Sequence, residues 1–430
     1  MGSRLEEAGH REVFSPEEAD VLVVNTCSIR RKAEEKACSL LGRFRRFKDR
    51  RPEVVVVAAG CASQRLGAVL LERLPHVDLI LGPHHVSEIA TLAARCREKR
   101  EKIVAISMQE GTAEDLECPG VAVPGGSKAY VTIMEGCNNF CSFCIVPHVR
   151  GRERSRPLSS LVAEAARLVG EKGVREIVLL GQNVNAYRAP DRPRTGFPEL
   201  LERLSLVSGL RRLRFTTSHP KDLSDRLIRC FGEIGVLCEH VHVPLQAGSD
   251  RVLKAMNRGY TAETYLSRIV ALRERAPEIA VSSDMIVGFP GEEPADFDRT
   301  LEMVRRVRFD SMYCFRFSSR PGTRAAEMAD QVPWDEKARR LSLLQELQRE
   351  ISQEKNRGLE GRVLEVLVEG RSRDGGQWMG RTRTNKVVNF SAPDVELGEL
   401  VLVLIRRGLP HSLLGEVDHF RGRAQKAASG

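Results

Sequence analysis

The stretch "AYVTIMEGCNNFCSFCIVP" (residues 129–147) joins a strand-like run to three closely spaced cysteines. Its first half is rich in β-branched and other apolar residues, which favours a buried strand. Cys137, Cys141 and Cys144 follow with the spacing Cys-x3-Cys-x2-Cys. Thiolates bind zinc and iron–sulfur clusters, and such sites normally take four protein ligands. The loop is therefore one ligand short, and a structural zinc loop completed by His148 or by a remote residue is the alternative to an iron–sulfur site.

The composition describes a foldable chain of more than one domain, with 430 residues of which 42% are hydrophobic and 29% charged. No segment approaches the roughly 20 apolar residues that span a bilayer, and the N-terminus lacks the apolar core of a signal peptide. We therefore expect a cytoplasmic protein with no membrane partner. We then expect no disulfides among the 11 cysteines, and we interpret the clustered ones as metal ligands or redox groups. The net charge of +9 favours an anionic partner.

Apolar, strand-like segments alternate with helical ones such as 158–171 and 262–275 beyond the cysteines. Together with the opening stretch, the predicted strands lie at 129–137, 176–183, 212–220, 240–249, 280–292 and 311–318. Six such βα units in succession predict a parallel sheet that forms a partial (β/α)6 barrel, with its chemistry at the carboxyl ends of the strands. The cysteine loop follows the first of these strands and is expected at that end.

The front of the chain repeats the alternation on a smaller scale. Valine-rich strands are predicted at 19–27, 53–61 and 77–82, and helices at 30–48 and 64–74. This pattern indicates a parallel sheet with helices on its faces. Cys27 and Cys61 each end a strand, and the carboxyl ends of parallel strands meet at an edge where ligands bind. The two thiols are either partners in one site or separately packed core residues, and their spacing favours neither interpretation.

The C-terminal region changes to short alternating runs after a long charged helix at 336–357. "GRVLEVLVEG" (361–370) and "GQWMGRTRTNKVVNF" (376–390) are examples, and they predict a small antiparallel β-barrel. Only Asp374 opposes the basic residues between 371 and 390. The candidates for contact with phosphates are Arg371, Arg373, Arg381, Arg383 and Lys386. Such residues bind phosphates, although a solvated basic face is the simpler alternative.

The whole chain is thus predicted to have an α/β fold in five segments. They are a parallel-sheet domain (1–108), a linker (109–128), the partial barrel (129–357), the small β domain (358–420) and a tail (421–430). The segment "VRGRERSRP" (149–157) adds four arginines shortly after the cysteines. These arginines either guide a nucleic-acid backbone or cap a helix.

The cysteine spacing resembles that of the radical S-adenosylmethionine (SAM) enzymes, and within them the methylthiotransferases of the MiaB type, which act on tRNA. Further segments are similar to this family in the same order along the chain. They are "NTCSIR" (25–30), "AGCASQ" (59–64), "LLGQNVNAY" (179–187), "TTSHP" (216–220), "PLQAGSDRVLKAMNRGY" (244–260) and "DMIVGFPGE" (284–292). The C-terminal region resembles the TRAM domain, an RNA-binding barrel. The order of these segments, rather than any single one, makes the resemblance specific.

The resemblance explains the missing fourth ligand. In this family three cysteines hold a 4Fe–4S cluster and leave one iron open for SAM, so Cys137, Cys141 and Cys144 are the implied ligands. The implied SAM-binding residues are Gly181, Gln182, Asn183, Ser218, Gln246, Ser249 and Asp284. Glycines permit close backbone approach to a ligand, and the polar side chains offer hydrogen bonds.

A second, auxiliary 4Fe–4S cluster is implied for the front domain, where the family uses three cysteines. Cys27 and Cys61 match the second and third of them, and the segment that carries the first has no counterpart in this sequence. We expect that the sequence is truncated at its start, and loss of full activity is the alternative. Cys38 is expected to be a packed thiol.

The resemblance implies an enzyme that adds a methylthio group to carbon 2 of isopentenyladenosine beside the tRNA anticodon. One SAM would methylate sulfur on the auxiliary cluster, and a second would give the radical that abstracts hydrogen from the base. The alternatives are a methylthiotransferase for threonylcarbamoyladenosine in tRNA or for a ribosomal-protein aspartate, and a non-catalytic RNA-binding iron–sulfur protein. The expected partners of this monomer are tRNA and an electron donor such as flavodoxin or ferredoxin, while the sulfur source is unknown.

Overall fold

The computed structural model of the protein describes residues 1–28, 31–108, 121–122, 127–192, 194–372, 375–392 and 394–418. Its contacts divide the chain into two compact units. The first takes in Met1–Pro119, Glu135–Arg154 and Ser318–Ala326, and the second takes in Gly120–Met134, Ser155–Phe317 and Glu327–Gly430. The cysteine loop therefore belongs to the same unit as the front of the chain. The five-segment division stays a prediction.

A parallel sheet forms the centre of the first unit. Its strands are β1 (Val21–Thr26), β2 (Val55–Gly60), β3 (Leu79–Leu81) and β4 (Ile103–Ala105), paired in that order. Every residue of β2 is buried, because helices cover both faces of a parallel sheet. The three predicted strands are confirmed. β4 was not predicted, because its three residues are only partly buried or exposed and show no strand pattern.

Short helices surround this sheet. They are α1 (Gly2–Glu7), α2 (Arg31–Arg50), α3 (Cys61–Leu66), α4 (Ala68–Arg73), α5 (Ile89–Lys99) and α6 (Val146–Arg150). The single helix predicted at 64–74 is wrong in one respect, because Gly67 divides it. Gly67 has a φ of +53°, a conformation that ends a helix and favours glycine. α2 packs Leu41, Phe44 and Phe47 into a core shared with Leu22 of β1.

The second unit contains the six strands predicted for the partial barrel. The strands in this part of the chain are β5 (Val121–Ala122), β6 (Lys128–Thr132), β7 (Met134–Glu135), β8 (Arg154–Ser155), β9 (Glu176–Leu180), β10 (Arg212–Phe215), β11 (His240–His242), β12 (Ala280–Val287) and β13 (Ser311–Arg316). β10, β9 and β6 pair in parallel in one sheet, with β5 antiparallel at its edge, and β11, β12 and β13 pair in parallel in another. β7 and β8 are two-residue strands at the ends of the cysteine loop.

The helices between these strands cover the outer faces of the sheets. They are α7 (Leu158–Lys172), α8 (Phe197–Ser205), α9 (Asp225–Glu233), α10 (Asp250–Ala255), α11 (Ala262–Arg275), α12 (Pro294–Val307) and α13 (Trp334–Arg357). Side-chain caps fix two of the starts, since Ser224 accepts from the Leu227 amide and Thr261 accepts from the Thr264 amide. None of the helices in the described ranges is long and apolar enough to cross a membrane.

The C-terminal strands close into a five-stranded barrel. They are β14 (Val363–Arg371), β15 (Trp378–Thr382), β16 (Val387–Ser391), β17 (Leu400–Gly408) and β18 (Leu413–Val417), closed in the order β14-β15-β16-β18-β17. All the pairs are antiparallel except β16 with β18, which run parallel. Closure leaves no sheet edge open. The core includes Val366, Val388, Phe390 and Ile405, and the predicted small β-barrel is confirmed.

Candidate metal centres and nucleic-acid interface

The cysteine loop of the first unit is held closed at its base. Gly136 has a φ of +77°, and a Cβ there would lie 2.0 Å from the carbonyl oxygen of Arg152, so only glycine permits this approach. The amide of Cys137 donates to the carbonyl oxygen of Gly151 at 3.2 Å. The ends of the segment are thus joined, and the three cysteines lie in the loop between them.

The thiols of this loop differ in their surroundings. Cys141 is buried, while Cys137 and Cys144 are partly exposed. Burial raises the pKa of the Cys137 thiol, while hydrogen bonds from Asn139, whose Nδ2 lies 3.3 Å from the sulfur, act in the opposite direction. A metal binds the thiolate and so displaces this proton. Phe140 has a φ of +43°, a strained conformation for an aromatic residue of the kind that clusters at functional sites.

The zinc alternative gains no support from the structure. His148 lies on α6 with its side chain exposed. Within the ranges that the structure describes, no three His, Cys, Asp or Glu side chains are grouped as a single metal ion requires. That the three cysteines hold a metal centre stays a prediction, and thiolates are ligands of the kind that suits an iron–sulfur cluster.

The front cysteines come to one edge of the sheet of the first unit. β1 and β2 pair with Thr26 opposite Gly60, and the next residue on each strand is Cys27 or Cys61. Neighbouring strands lie about 4.8 Å apart, so the two cysteines leave the sheet side by side. The amide of Ser63 donates to Thr26 Oγ1 at 3.0 Å and ties the two strand ends together. That these cysteines share an edge is confirmed, and that they bind a cluster stays a prediction.

A buried hydroxyl beside Cys27 marks this edge as a site that fits a further group. Ser28 is completely buried, and its Oγ has no hydrogen-bond partner among the residues that the structure describes. An unsatisfied buried hydroxyl costs about 1–3 kcal/mol. The adjacent thiols are soft ligands that match an iron–sulfur cluster, so the residues present are compatible with one.

Arg150 is a functional candidate that the sequence reasoning missed. Its Nε donates to Cys61 Sγ at 3.3 Å, and its Nη1 lies 3.4 Å from Glu135 Oε1. Burial opposes its charge, but the thiols of Cys61 and Cys27 and the Glu135 carboxylate hold the pKa of Arg150 above its ordinary value. The four arginines after the cysteines were treated as a group, and nothing in the spacing relates Arg150 to a cysteine 89 positions earlier.

The predicted SAM residues lie in the second unit, and all of them except Asp284 lie beyond the carboxyl ends of its strands. The loop after β9 contacts the loop after β10, since the Val184 amide donates to the carbonyl oxygen of Thr217 at 3.0 Å. Ser218 is buried, and its Oγ has no hydrogen-bond partner within the described chain. Asn183 donates from Nδ2 to Asp222 Oδ2 at 2.8 Å. The structure therefore brings the segments containing Gln182, Asn183 and Ser218 together.

Gln246, which follows β11, contacts Asp284, which lies within β12. The Gln246 amide donates to the carbonyl oxygen of Asp284 at 2.9 Å. Gln246 has a φ of +73°, and its buried Oε1 lacks a hydrogen-bond partner in the part of the chain that is described. Asp284 Oδ2 lies 3.5 Å from His242 Nε2. An unsatisfied amide oxygen on a strained residue is compatible with a bound polar ligand.

Two of the predicted SAM residues have structural contacts of their own. A Cβ on Gly181 would lie 2.6 Å from Met134 Cγ, so this glycine is needed for packing. Ser249 is completely buried and donates to Asp296 Oδ1 at 2.5 Å. SAM binding by either residue stays a prediction, and these contacts explain their presence without it.

His219 is a further candidate that the sequence reasoning passed over, although it lies within "TTSHP". Its Nδ1 accepts from the Lys221 amide at 3.3 Å, which places the proton of the neutral ring on Nε2. Nε2 is buried and has no partner in the described ranges. Burial, with the positive charges of Arg258 and Lys221, lowers the pKa of His219 to about 2. The ring is neutral at working pH and offers one N–H to a ligand.

The predicted basic patch is largely engaged within the second unit. Arg381 pairs with Glu369 at 3.2 Å, Arg383 with Glu239 at 2.7 Å, and Lys386 with Asp310 at 3.1 Å. These contacts give the three cations a structural role, and their contact with RNA stays a prediction. Arg371 is exposed and stacks its guanidinium 3.8 Å from the centre of the Trp378 ring. Arg373 lies outside the described residues.

The amino ends of the parallel strands are joined to the C-terminal barrel by a buried ionic network. Glu176 is completely buried at the start of β9 and lies 3.0 Å from Arg214 Nε, 3.4 Å from Lys128 Nζ and 3.8 Å from Arg212 Nη1. Burial opposes its charge, but these three cations hold the pKa of Glu176 below its ordinary value. Arg212 also donates to Glu365 Oε1 at 2.7 Å. The two domains of this unit therefore share their charged groups.

A cavity of about 640 Å³ lies between β13, α13 and the C-terminal barrel, all within the second unit. Its lining includes Tyr313, which is 64% exposed, and four charged residues, the positive Arg349, Arg381 and Lys386 and the negative Asp310. Tyr313 pairs in register with Asp284 of β12. The cavity thus extends from the C-terminal barrel to the strand that carries a predicted SAM residue.

Three family models match the chain in order. The "Uncharacterized protein family UPF0004" matches residues 1–82, the "Radical SAM superfamily" matches residues 131–304, and the "TRAM domain" matches residues 357–417. Among solved structures, a radical S-adenosylmethionine methyltransferase, TsrM, from Kitasatospora setae is similar with a TM-score of 0.53 and 17% identity, over 71% of this chain and 65% of that one. This likeness supports the fold alone.

The curated relatives are much more similar. The tRNA-2-methylthio-N(6)-dimethylallyladenosine synthase of Syntrophobacter fumaroxidans is 48% identical over 95% of this chain and 90% of its own length. The protein of the same name from Syntrophus aciditrophicus is 44% identical over 97% of this chain and 90% of its own length. With this identity over nearly the whole sequence, the chain belongs to the radical SAM family that contains the tRNA-2-methylthio-N(6)-dimethylallyladenosine synthases.

Proposed function

We propose that the chain adds a methylthio group to carbon 2 of N(6)-dimethylallyladenosine, the isopentenylated base beside the anticodon of tRNA. The observation that carries the proposal is the 48% identity, over 95% of the chain, to a synthase named for this reaction. The cysteine loop, the polar strand ends and the basic cavity supply residues for each part of such a reaction. We further propose that SAM and two 4Fe–4S clusters are the cofactors.

Cys137, Cys141 and Cys144 would hold the first cluster, and Cys27 and Cys61 would contribute to the second. When bound, these groups supply the electron that cleaves SAM and the sulfur that is transferred. The chain holds the first set of thiols in a loop whose base is closed at Gly136. Asn139 directs its amide at the sulfur of Cys137, and this contact would fix the orientation of the ligand.

Ser218, His219 and Gln246 are the polar groups that we assign to SAM. Each buries a polar atom that has no hydrogen-bond partner in the described ranges, and such atoms are normally paired in a native protein. His219 would donate from Nε2, Ser218 would donate or accept, and Gln246 would accept through Oε1. Together they suit the charged amino acid end of SAM, which carries both donors and acceptors.

We place the RNA at the cavity beside β13. Single-stranded bases are recognised by stacking on aromatic side chains, and RNA phosphates bind arginine and lysine. Tyr313 offers an exposed ring, and Arg349 offers a partly exposed positive charge at the cavity wall. Because Tyr313 pairs in register with Asp284, a base stacked there would lie near a predicted SAM residue. Tyr313→Ala is expected to weaken binding of the RNA.

The remaining partners follow from this chemistry. Cleavage of SAM needs a one-electron reductant of low potential, so we propose flavodoxin or ferredoxin as the donor. A tRNA substrate implies the cytoplasm as the compartment, and we propose that the protein acts there as a monomer.

The test is a panel of RNA substrates. The protein is reconstituted anaerobically with iron and sulfide and incubated with SAM, dithionite and anticodon stem-loops. These loops contain dimethylallyladenosine, threonylcarbamoyladenosine or unmodified adenosine, and mass spectrometry of the nucleosides measures the product. We expect 2-methylthio product from the dimethylallyl substrate alone. Product from the threonylcarbamoyl substrate, or SAM cleavage with no methylthiolated RNA of any kind, would contradict the assignment.

A further inference from the structure

We infer that Arg150 is a positioning residue of the auxiliary site, where its guanidinium holds the sulfur of Cys61 and balances the charge of thiolate ligands. The inference rests on the proposed function, because it takes Cys27 and Cys61 to be ligands of a cluster. It adds a residue that reaches this site from the segment carrying the other three cysteines. All of the residues concerned belong to the first unit.

Arg150 is fixed at both its backbone and its side chain. It ends α6, six positions after Cys144, and its carbonyl oxygen accepts from His84 Nε2 at 3.1 Å. Its Nη1 lies 3.4 Å from Glu135 Oε1, and its Nε is directed at Cys61 Sγ at 3.3 Å. The side chain is 29% exposed. A guanidinium held at two points, on a residue whose backbone is also fixed, is ordered before any cluster binds.

The neighbouring arginines serve other partners, so the contact is specific to Arg150. Arg154 Nη2 lies 3.9 Å from the other oxygen of Glu135, and Arg156 pairs with the buried Glu164 at 2.7 Å. Arg152 is exposed. Arg150 is the arginine of this segment whose guanidinium contacts a cysteine sulfur among the described residues.

A cation at this position matters because iron–sulfur ligands are thiolates. A buried negative charge is costly unless it is paired or hydrogen-bonded, and the thiols of Cys27 and Cys61, directly after β1 and β2, are partly buried. Hydrogen bonds to the sulfurs and the net charge also set the reduction potential of a cluster. A guanidinium beside Cys61 therefore favours both retention of the cluster and uptake of an electron by it.

The experiment isolates the auxiliary site in the full-length chain. Cys137, Cys141 and Cys144 are all replaced by alanine, so that iron bound after anaerobic reconstitution reports on Cys27 and Cys61. Arg150→Gln and Arg150→Lys are made in this background. A hydrogen bond to a charged group contributes about 1.5–3 kcal/mol, so we expect Arg150→Gln to release iron to a chelator about tenfold faster. An EPR-monitored titration of Arg150→Gln is expected to show a lower midpoint potential than that of the background. Arg150→Lys is expected to have a release rate and a midpoint potential between those of Arg150→Gln and the background.

Arg152→Gln serves as the control, because it removes a charge of the same sign from the exposed neighbour and is expected to match the background in release rate and potential. Glu135→Gln weakens a contact that orients Arg150 and is expected to speed iron release by less than Arg150→Gln does. If Arg150→Gln does not fold, as thermal unfolding will show, Arg150→Lys carries the comparison.

The outcomes separate this inference from the proposed function. The role of Arg150 alone is overturned if Arg150→Gln binds iron with the same release rate and midpoint potential as the background. Where Arg150→Lys carries the comparison, the same result in that variant overturns it. A background that binds no iron overturns the two-cluster proposal and this inference with it. Faster release and a lower potential in Arg150→Gln, with Arg152→Gln unchanged from the background, support it.

Discussion

The two ends of the parallel strands in the second unit are both rich in polar groups, yet they differ in how those groups are satisfied. At the amino end, Glu176 is completely buried, and its two carboxylate oxygens make no hydrogen bond in the described ranges but lie within ion-pair distance of three cations. At the carboxyl end, Ser218, His219 and Gln246 bury polar atoms that have neither a hydrogen bond nor an ion pair in the described ranges. Because a buried polar atom without a partner is costly, we assign the second end to ligand binding. The first end joins two domains, although its charges are the more conspicuous.

The largest effect is expected at the amino end. Glu176→Gln would leave three cations facing a neutral amide, and breaking a buried ionic network costs about 3–5 kcal/mol. The midpoint of urea unfolding should fall accordingly, with a loss of activity that parallels the loss of folded protein. Glu274→Gln, on the exposed face of α11, serves as the control. An unchanged midpoint in Glu176→Gln would remove the distinction between the two ends.

The same residue predicts a dependence on pH. The pKa of Glu176 is lower in the folded protein than the ordinary value of a glutamate. The stability that its charge contributes is therefore fully present above about pH 4.3 and is lost as the pH falls through the lower, folded value. We expect the wild-type protein to lose more stability than Glu176→Gln when the pH is lowered from 6 to 3. Equal losses in the two proteins would contradict this role.

Substitution of Arg383 is expected to lower the stability of the fold by less than Glu176→Gln does. Arg383 donates to Glu239, and also to the carbonyl oxygens of Gly235 at 3.0 Å and Leu237 at 2.8 Å. Arg383→Ala should lower the free energy of unfolding by about 2 kcal/mol, the range for hydrogen bonds to a charged group. RNA binding measured well below the unfolding transition should change little. A large loss of RNA affinity with unchanged stability would return Arg383 to the RNA interface.

Substitutions of two serines are expected to have opposite effects on stability and on SAM binding. One serine lies at the carboxyl ends of the strands, and the other caps a helix. Ser218→Ala removes an unsatisfied hydroxyl, so stability should be kept while SAM binds about tenfold more weakly, as loss of one hydrogen bond predicts. Ser224→Ala removes the cap of α9 and should cost about 1 kcal/mol of stability without affecting SAM. Calorimetry of SAM binding and thermal unfolding measure the two effects. The reverse pattern would contradict the assignment of the carboxyl end.

Arg371 carries the smallest expected effect. It is exposed, and it stacks on Trp378, so Arg371→Gln should leave stability nearly unchanged. Loss of one phosphate contact should weaken RNA binding a few-fold and reduce its salt dependence by about one counterion. Arg275→Gln, an exposed arginine on α11, is the matched control. Identical salt dependence in the two variants would remove Arg371 from the RNA interface.

The sequence predicted those features of the molecule that depend on nearby residues. The spacing of Cys137, Cys141 and Cys144 is local, and their loop could be recognised directly. The six barrel strands and α11 follow from apolar patterns, which also identified the C-terminal barrel. β4 was missed, because three partly exposed residues give no periodic signal.

Contacts between distant residues were the part that the sequence did not predict. Arg383 and Lys386 were assigned to RNA because they lie in a basic run, but their carboxylate partners are 144 and 76 positions away. Arg150 was counted with its neighbours, because only the fold brings it to Cys61. Composition gives the sign of the net charge of a segment, whereas the ion-pair partner of each charged side chain depends on tertiary structure.

The most direct test of radical SAM chemistry is the release of 5′-deoxyadenosine from SAM. The wild-type protein and Cys141→Ser are reconstituted anaerobically, assayed for iron and reduced with dithionite in the presence of SAM. We predict that the wild-type protein releases 5′-deoxyadenosine and that Cys141→Ser releases none. A wild-type protein that carries its iron but leaves SAM intact, or a Cys141→Ser variant that cleaves SAM at the wild-type rate, would contradict the account.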